Sequence, residues 1–165
     1  MKMNVVIIGL NYEYNLNVCN LIADATNLYL LDVNEYINYS LMSRQNMQDV
    51  CGIEYLEQQE NKVISSCSEF ENSVICMPHY YFFRNEVFKK FTNSIIIYLR
   101  FSYKKLTEIC QNVSKDLSTL PIDLITFDER DNDLTNVSNF KINIVNKKDI
   151  TIVKEILSKL EGEIL

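Results

Sequence analysis

The chain has 165 residues, 47% of them hydrophobic and 23% charged, with a formal net charge of −6. That length suits one domain with a sizeable buried core. The acidic balance excludes a broad footprint on nucleic acid or on an anionic membrane. The five cysteines (Cys19, Cys51, Cys67, Cys76 and Cys110) are odd in number and lack a CxxC pair. They read as buried reduced thiols, so neither a disulfide framework nor a metal site is expected.

Val5–Ile8 is a short continuous apolar run, the pattern of a parallel strand covered on both faces. Gly9 ends it, and Leu16, Cys19, Ile22 and Ala23 then recur at helical spacing to about Ala25. A strand that stops at a glycine and returns as a helix is how phosphate-binding loops are built. Leu28–Leu31 predicts a second strand closed by Asp32, and 34–42 a helix. Ser43–Gln48 reads as a polar break, and Ile53–Ser65 as a charged helix with Ile53, Leu56, Val63 and Ile64 on its apolar side. Ser73–Met77 predicts a third strand stopped by Pro78. His79–Phe83 reads as an aromatic turn, and 85–91 as a helix. Ser94–Leu99 is the clearest strand, and 104–113 the next helix. Asp116–Asn136 is polar and reads as loop with at most a short helix. Phe140–Val145 alternates as a fifth strand, and 149–160 is a closing amphipathic helix with Asp149 as its N-cap. Strand and helix alternating five times predict a three-layer α/β fold around a mainly parallel five-stranded sheet, in a single domain over 1–165. No apolar stretch approaches the roughly 18 residues of a membrane helix, and no secretory leader is read at the start, so a cytoplasmic location is expected.

This order of segments resembles the shikimate kinase family over roughly residues 3–160. The strand ending in Gly9, the strand ending in Asp32-Val33-Asn34, the helix after Gly52, the strand running into Cys76-Met77-Pro78, the strand SIIIYL and the Asp128-Glu129-Arg130 stretch all follow that family's layout. The resemblance implies a P-loop kinase fold and a phosphate loop GxxxxGK[ST]. Counted from Gly9, the second glycine falls on Tyr14, the lysine on Asn15 and the magnesium-binding hydroxyl on Leu16. Tyr14 adds a side chain where backbone should approach phosphate. Asn15 lacks the charge that pulls on the β- and γ-phosphates, and Leu16 offers Mg²⁺ no oxygen. Shifting the alignment does not restore a cation, because no lysine or arginine lies between Lys2 and Arg44, whereas Glu13, Asp24, Asp32 and Glu35 do.

The resemblance further implies an Asp-x-Asp motif, matched by Asp32 with Asn34 in place of the second acid. Asn34 could still hydrogen-bond a hydroxyl, but it could not act as a base. Of two arginines expected to hold a substrate carboxylate in a two-bond fork, the first position is occupied by Glu57 and the second matches Arg130. The arginine-rich lid of the family corresponds to Asp116–Phe127, which contains Pro121 and no arginine. The expectation is therefore a catalytically inactive relative with a degenerate phosphate loop, substrate pocket and lid, which serves as a binding, regulatory or structural module without a cofactor. The alternative is an active small-molecule kinase using ATP and Mg²⁺ at an atypical nucleotide site, with Asp32 as the candidate catalytic acid. The lone histidine, His79, excludes multi-histidine metal sites and histidine triads, and a Cys76–His79 nucleophile pair is weaker than a packing role for both. A protein partner stays open: the HYYFF cluster at 79–83, if exposed, would mark its surface. Oligomeric state is not readable.

Overall fold

The computed structural model describes residues 4–41, 43–113 and 123–164. Its strands are β1 (Asn4–Ile8), β2 (Tyr29–Asp32), β3 (Ser73–Cys76), β4 (Ser94–Arg100) and β5 (Phe140–Asn143). Its helices are α1 (Tyr12–Ala25), α2 (Val33–Ser40), α3 (Arg44–Cys51), α4 (Ile53–Ser66), α5 (His79–Phe83), α6 (Tyr103–Val113), α7 (Leu124–Val137) and α8 (Asp149–Ile164). The strands form one parallel sheet in the order β2-β3-β1-β4-β5.

The period-2 alternation of strand side chains divides the core into two halves. Val6, Ile8, Ile75, Met77, Ile96 and Tyr98 face one side, where Ile37 of α2, Leu56 and Ile64 of α4, Phe82 of α5 and Leu134 of α7 cover them. Val5, Ile7, Val74, Cys76, Ile97 and Leu99 face the other, beneath Val18, Cys19 and Ile22 of α1 and Ile152 and Ile156 of α8. Every residue of β1 is buried, which is why Val5–Ile8 is continuously apolar rather than alternating. The α/β three-layer expectation holds. Among the described residues no helix is long and apolar enough to cross a membrane.

The local departures have physical causes. The polar break at 43–48 is helix α3, which starts from Ser43 in the left-handed region (φ 62) and ends at Gly52 (φ 86). It buries no residue fully, so no apolar stripe betrays it. A Gln45–Asp49 side-chain hydrogen bond (2.8 Å) and the pairing of Arg44 with Glu60 hold it instead. The loop expected through Asn136 contains helix α7, N-capped by Asp123, whose carboxylate accepts from the Thr126 N–H at 2.9 Å. Only Phe127 and Leu134, seven residues apart, are buried among its polar residues. The earlier part of the expected lid, 116–122, lies outside the described residues. The aromatic turn at 79–83 is the short helix α5, and 84–90 is a 3-10 segment broken at Asn85 (φ 51) and Glu86 (φ 54) rather than a regular helix. Asp149 is the first residue of α8, and its carboxylate accepts from Asn17 of α1 (2.9 Å).

Candidate functional site

The strand order reverses direction at β1, and in such sheets ligands sit beyond the carboxyl ends of the strands at that point. Gly9 stands there, buried, where β1 meets β4. A Cβ at Gly9 would lie 2.7 Å from the Leu99 carbonyl oxygen and 2.9 Å from the Asn15 amide oxygen. The glycine is thus required by space, and its φ is not positive. Helix α1 opens at Tyr12, so only Gly9, Leu10 and Asn11 separate strand from helix. Tyr12, Glu13 and Tyr14 lie in the first turn of the helix rather than in an open loop.

The orphan N–H groups of a helix start are what a phosphate would use. Here Asn11 caps the helix, its side-chain oxygen accepting from the Tyr14 N–H at 3.1 Å. Glu13 adds a carboxylate to the same turn. Asn15 is fully buried, pressed against Gly9, and neither atom of its amide has a hydrogen-bond partner among the described residues. Tyr14 packs edge-on against Phe101 (ring centroids 4.9 Å apart). Burial, and then the Asp149 carboxylate, push its phenol up to about 12. Leu16 is half-buried against the α1–α8 side of the core. No cation stands among these groups, and Leu16 offers no oxygen at the position where the family's loop carries a hydroxyl.

Tyr12 carries the next link. Its hydroxyl donates to Asp32 Oδ1 at 2.5 Å, lies 3.3 Å from the Cys76 carbonyl oxygen, and accepts from the Asn34 N–H at 3.5 Å. The phenol therefore bridges the carboxyl ends of β2 and β3. Burial foremost, then Cys76 and the Asp32 hydrogen bond, raise its pKa far beyond that of an ordinary tyrosine. Asp32 also N-caps α2 by accepting from the Glu35 N–H at 3.2 Å. Both oxygen-directed donors are thus the chain's own.

Two further sequence candidates meet at this end. His79, at the start of α5, lies beside the Gly9 backbone and near enough to Arg130 of α7 to feel its charge. Burial first and Arg130 second lower the imidazole pKa from 6.5 to about 4, leaving it neutral at physiological pH. Arg130 has no ion pair among the described residues, because Asp131, its neighbour in sequence, accepts instead from Arg100 Nε (2.7 Å) and the Tyr98 hydroxyl (2.9 Å). Glu57 stands exposed on α4. Cys76 is fully buried and its thiol meets that of Cys19 across the α1–β3 contact, where burial raises the Cys19 pKa. In the HYYFF cluster Tyr81 and Phe82 are core, and Tyr80 is the exposed member.

Sequence reasoning missed the Tyr12 bridge and a buried charge cluster. Glu60 is 3% exposed on α4 and is paired with Arg44 of α3 and with Arg84, whose Nη2 is 2.9 Å away. Arg44 also donates to the Tyr81 hydroxyl (3.2 Å), and the Arg84 guanidinium stacks 4.8 Å over the Tyr81 ring. A signal was available: Glu60 falls at i+4 between Leu56 and Ile64, on the apolar face. On the other side of the corner, Asn11, Tyr14, Phe101, Lys104, Lys105 and Lys147 contribute to an open cavity of about 560 Å³.

Comparison with known proteins gives this architecture a family. The shikimate kinase crystal structure from Aquifex aeolicus superposes with a TM-score of 0.73 at 21% identity, covering 98% of this chain and 98% of that one. The shikimate kinase from Acinetobacter baumannii, solved in complex with shikimate, gives 0.71 at 14% identity over 97% and 93%. The YorR protein of Bacillus subtilis, in complex with phosphorylated GDP, gives 0.63 at 12% identity over 97% and 96%. At such identities these likenesses establish the fold. No curated protein matches the sequence. The family model described as shikimate kinase, however, matches residues 17–161. The chain belongs to the shikimate kinase family.

Proposed function

We propose that this family member is catalytically inactive, its phosphate loop, substrate pocket and lid degenerate, and that it serves as a binding, regulatory or structural module. The observation that carries the reading is the corner between β1 and α1. The helix starts three residues after Gly9, Asn11 caps it, and the Tyr12 hydroxyl occupies Asp32. A nucleotide phosphate would have to displace these contacts and would meet Glu13, with no lysine or arginine from residue 3 to residue 43. On this reading Gly9 and Asp32 persist for packing and capping, and neither ATP nor Mg²⁺ is a cofactor. Asn34, Glu57 and Arg130 then hold no substrate carboxylate or hydroxyl. The module works in the cytoplasm through a protein partner, without nucleic acid or membrane, a setting in keeping with its free cysteines.

A second reading has one observation in its favour. The cavity of about 560 Å³ beside Tyr14 and Phe101, with three lysines and Glu108 on its wall, has the volume of a small-molecule site and more cations than acids in its lining. On that reading the chain is an active small-molecule kinase that takes ATP and Mg²⁺ by an unusual route. An assay of phosphate transfer from ATP–Mg²⁺ to shikimate separates the two. The inactive reading expects no transfer above the uncatalysed background, and no gain on adding substrate. Turnover abolished by Asp32→Asn would overturn it. The triple change Tyr14→Gly, Asn15→Lys, Leu16→Ser is expected to create weak ATP–Mg²⁺ binding where the parent shows none, because it returns space, charge and a hydroxyl together.

A further inference from the structure

We propose that the open edge of β2 accepts an extended, basic segment of a partner protein as an added strand. In the sheet order β2 is terminal, with β3 as its one neighbour among the described residues. The Tyr29 N–H bonds the Asn72 carbonyl at 2.9 Å, so the backbone groups of Tyr29 face β3. Those of Leu30, one residue on, face outward and offer a donor and an acceptor to a sixth strand. Tyr29 is 76% exposed and Leu30 37%, although they point to opposite faces of the sheet. The start of β2 thus projects past both helical layers. On one face it borders a groove of about 610 Å³ lined by Leu28, Tyr29, Leu157 and Leu160 with Glu161 on its rim.

The opposite edge of the same sheet is guarded. In β5 Lys141 is exposed, and the Lys159 ammonium sits 5.2 Å above the Phe140 ring. Charges of this kind on an edge strand oppose unwanted pairing. The β2 strand, YLLD, carries no cation and no proline. Its surroundings decide the occupant by charge complementarity. Asp24 precedes the strand, Glu69 lies on the approach to β3 and Glu161 rims the groove, all exposed. A second copy pairing through the same edge would set these acids against their own symmetry mates, which disfavours an isologous dimer. A segment alternating lysine or arginine with large apolar residues meets both needs. Its backbone completes Leu30, its apolar side chains enter the groove beside Tyr29, and its cations face the acids.

This surface lies at the amino-terminal end of β2, away from Gly9 and Asp32, so it stands or falls independently of the nucleotide reading. The test uses the full chain and two synthetic probes, short peptides alternating valine with lysine or valine with glutamate. Binding is followed by fluorescence anisotropy, and the contact is mapped by amide shifts. The lysine peptide should bind saturably, shift Leu30 and its neighbours, and weaken as salt rises, while the glutamate peptide should not bind. Leu30→Lys and Tyr29→Lys, both at exposed positions, should weaken binding about tenfold or more with unchanged thermal melting. Equal binding of the two peptides, no binding of either at about 1 mM, shifts confined to another surface, or a peptide-free dimer dissociated by Leu30→Lys would each overturn the proposal.

Discussion

Two regions of this molecule handle charge in opposite ways. At the β1–α1 corner no lysine or arginine occurs from residue 3 to residue 43, and Tyr12, Tyr14 and Asn15 pack behind Gly9. At the wedge between α3, α4 and the segment after α5, two arginines converge on the buried carboxylate of Glu60. Of the four arginines, Arg44, Arg84 and Arg100 are spent on acidic side chains of the chain itself. The difference teaches that guanidinium chemistry has been kept here for holding helices together. A buried ion pair gains little net stability but costs much when one partner is removed. That asymmetry makes the wedge a structural element whose loss should be felt throughout.

The largest effect should therefore come from Glu60→Gln. It preserves volume but leaves two guanidinium groups facing a neutral amide, and roughly 3 kcal/mol of stability should be lost. For a domain of this size that lowers the melting temperature by about 6–12 °C, readable by differential scanning calorimetry. A change of less than about 1 °C would mean that the wedge is solvated and that the contrast with the corner is false.

At the corner, Gly9→Ala should cost about 1–3 kcal/mol, because the new methyl would meet the Leu99 carbonyl oxygen at 2.7 Å, a backbone atom that cannot step aside cheaply. Urea denaturation measures it. A neutral or stabilising result would show that Gly9 is retained for a ligand rather than for packing.

A smaller effect concerns His79. Its folded pKa, about 4, lies below the 6.5 of the free side chain, so the unfolded chain takes up the proton first as pH falls. Its contribution is complete above about pH 6.5 and is lost between there and about pH 4. The loss should be about 1–2 kcal/mol, allowing for partial exposure. Denaturation curves at about pH 7 and about pH 4.5 for the parent and His79→Gln would isolate it from the carboxylates, the variant losing less on acidification. As the single histidine, its ring also gives one NMR titration. A midpoint near 6.5 would remove His79 from the packed corner.

Much of the fold was legible because the strands are runs of apolar residues ending at Gly9, Asp32 and Pro78, signals that do not depend on distant contacts. Helix α3 escaped, and the full length of α7 where only a short helix in a loop was expected, for the opposite reason. The former is held by a polar contact to Glu60, and the latter by two apolar anchors among polar residues. Gly9 and Asp32 could be placed at the carboxyl ends of β1 and β2 by order along the chain. The Tyr12 bridge could not, since it joins α1 to the end of β2 across residues remote in sequence. Nor could the pairing of Arg44 and Arg84 with Glu60, although an acid on the apolar face of α4 was itself visible.

The contrast between the two regions rests on the claim that the corner no longer holds a nucleotide. Isothermal titration of the chain with ATP–Mg²⁺ to about 1 mM tests it most directly. The account predicts no saturable heat, and Tyr12→Phe, which frees Asp32, should not create one. A saturable isotherm in the micromolar range, weakened by a change at Gly9 or Asp32, would contradict it.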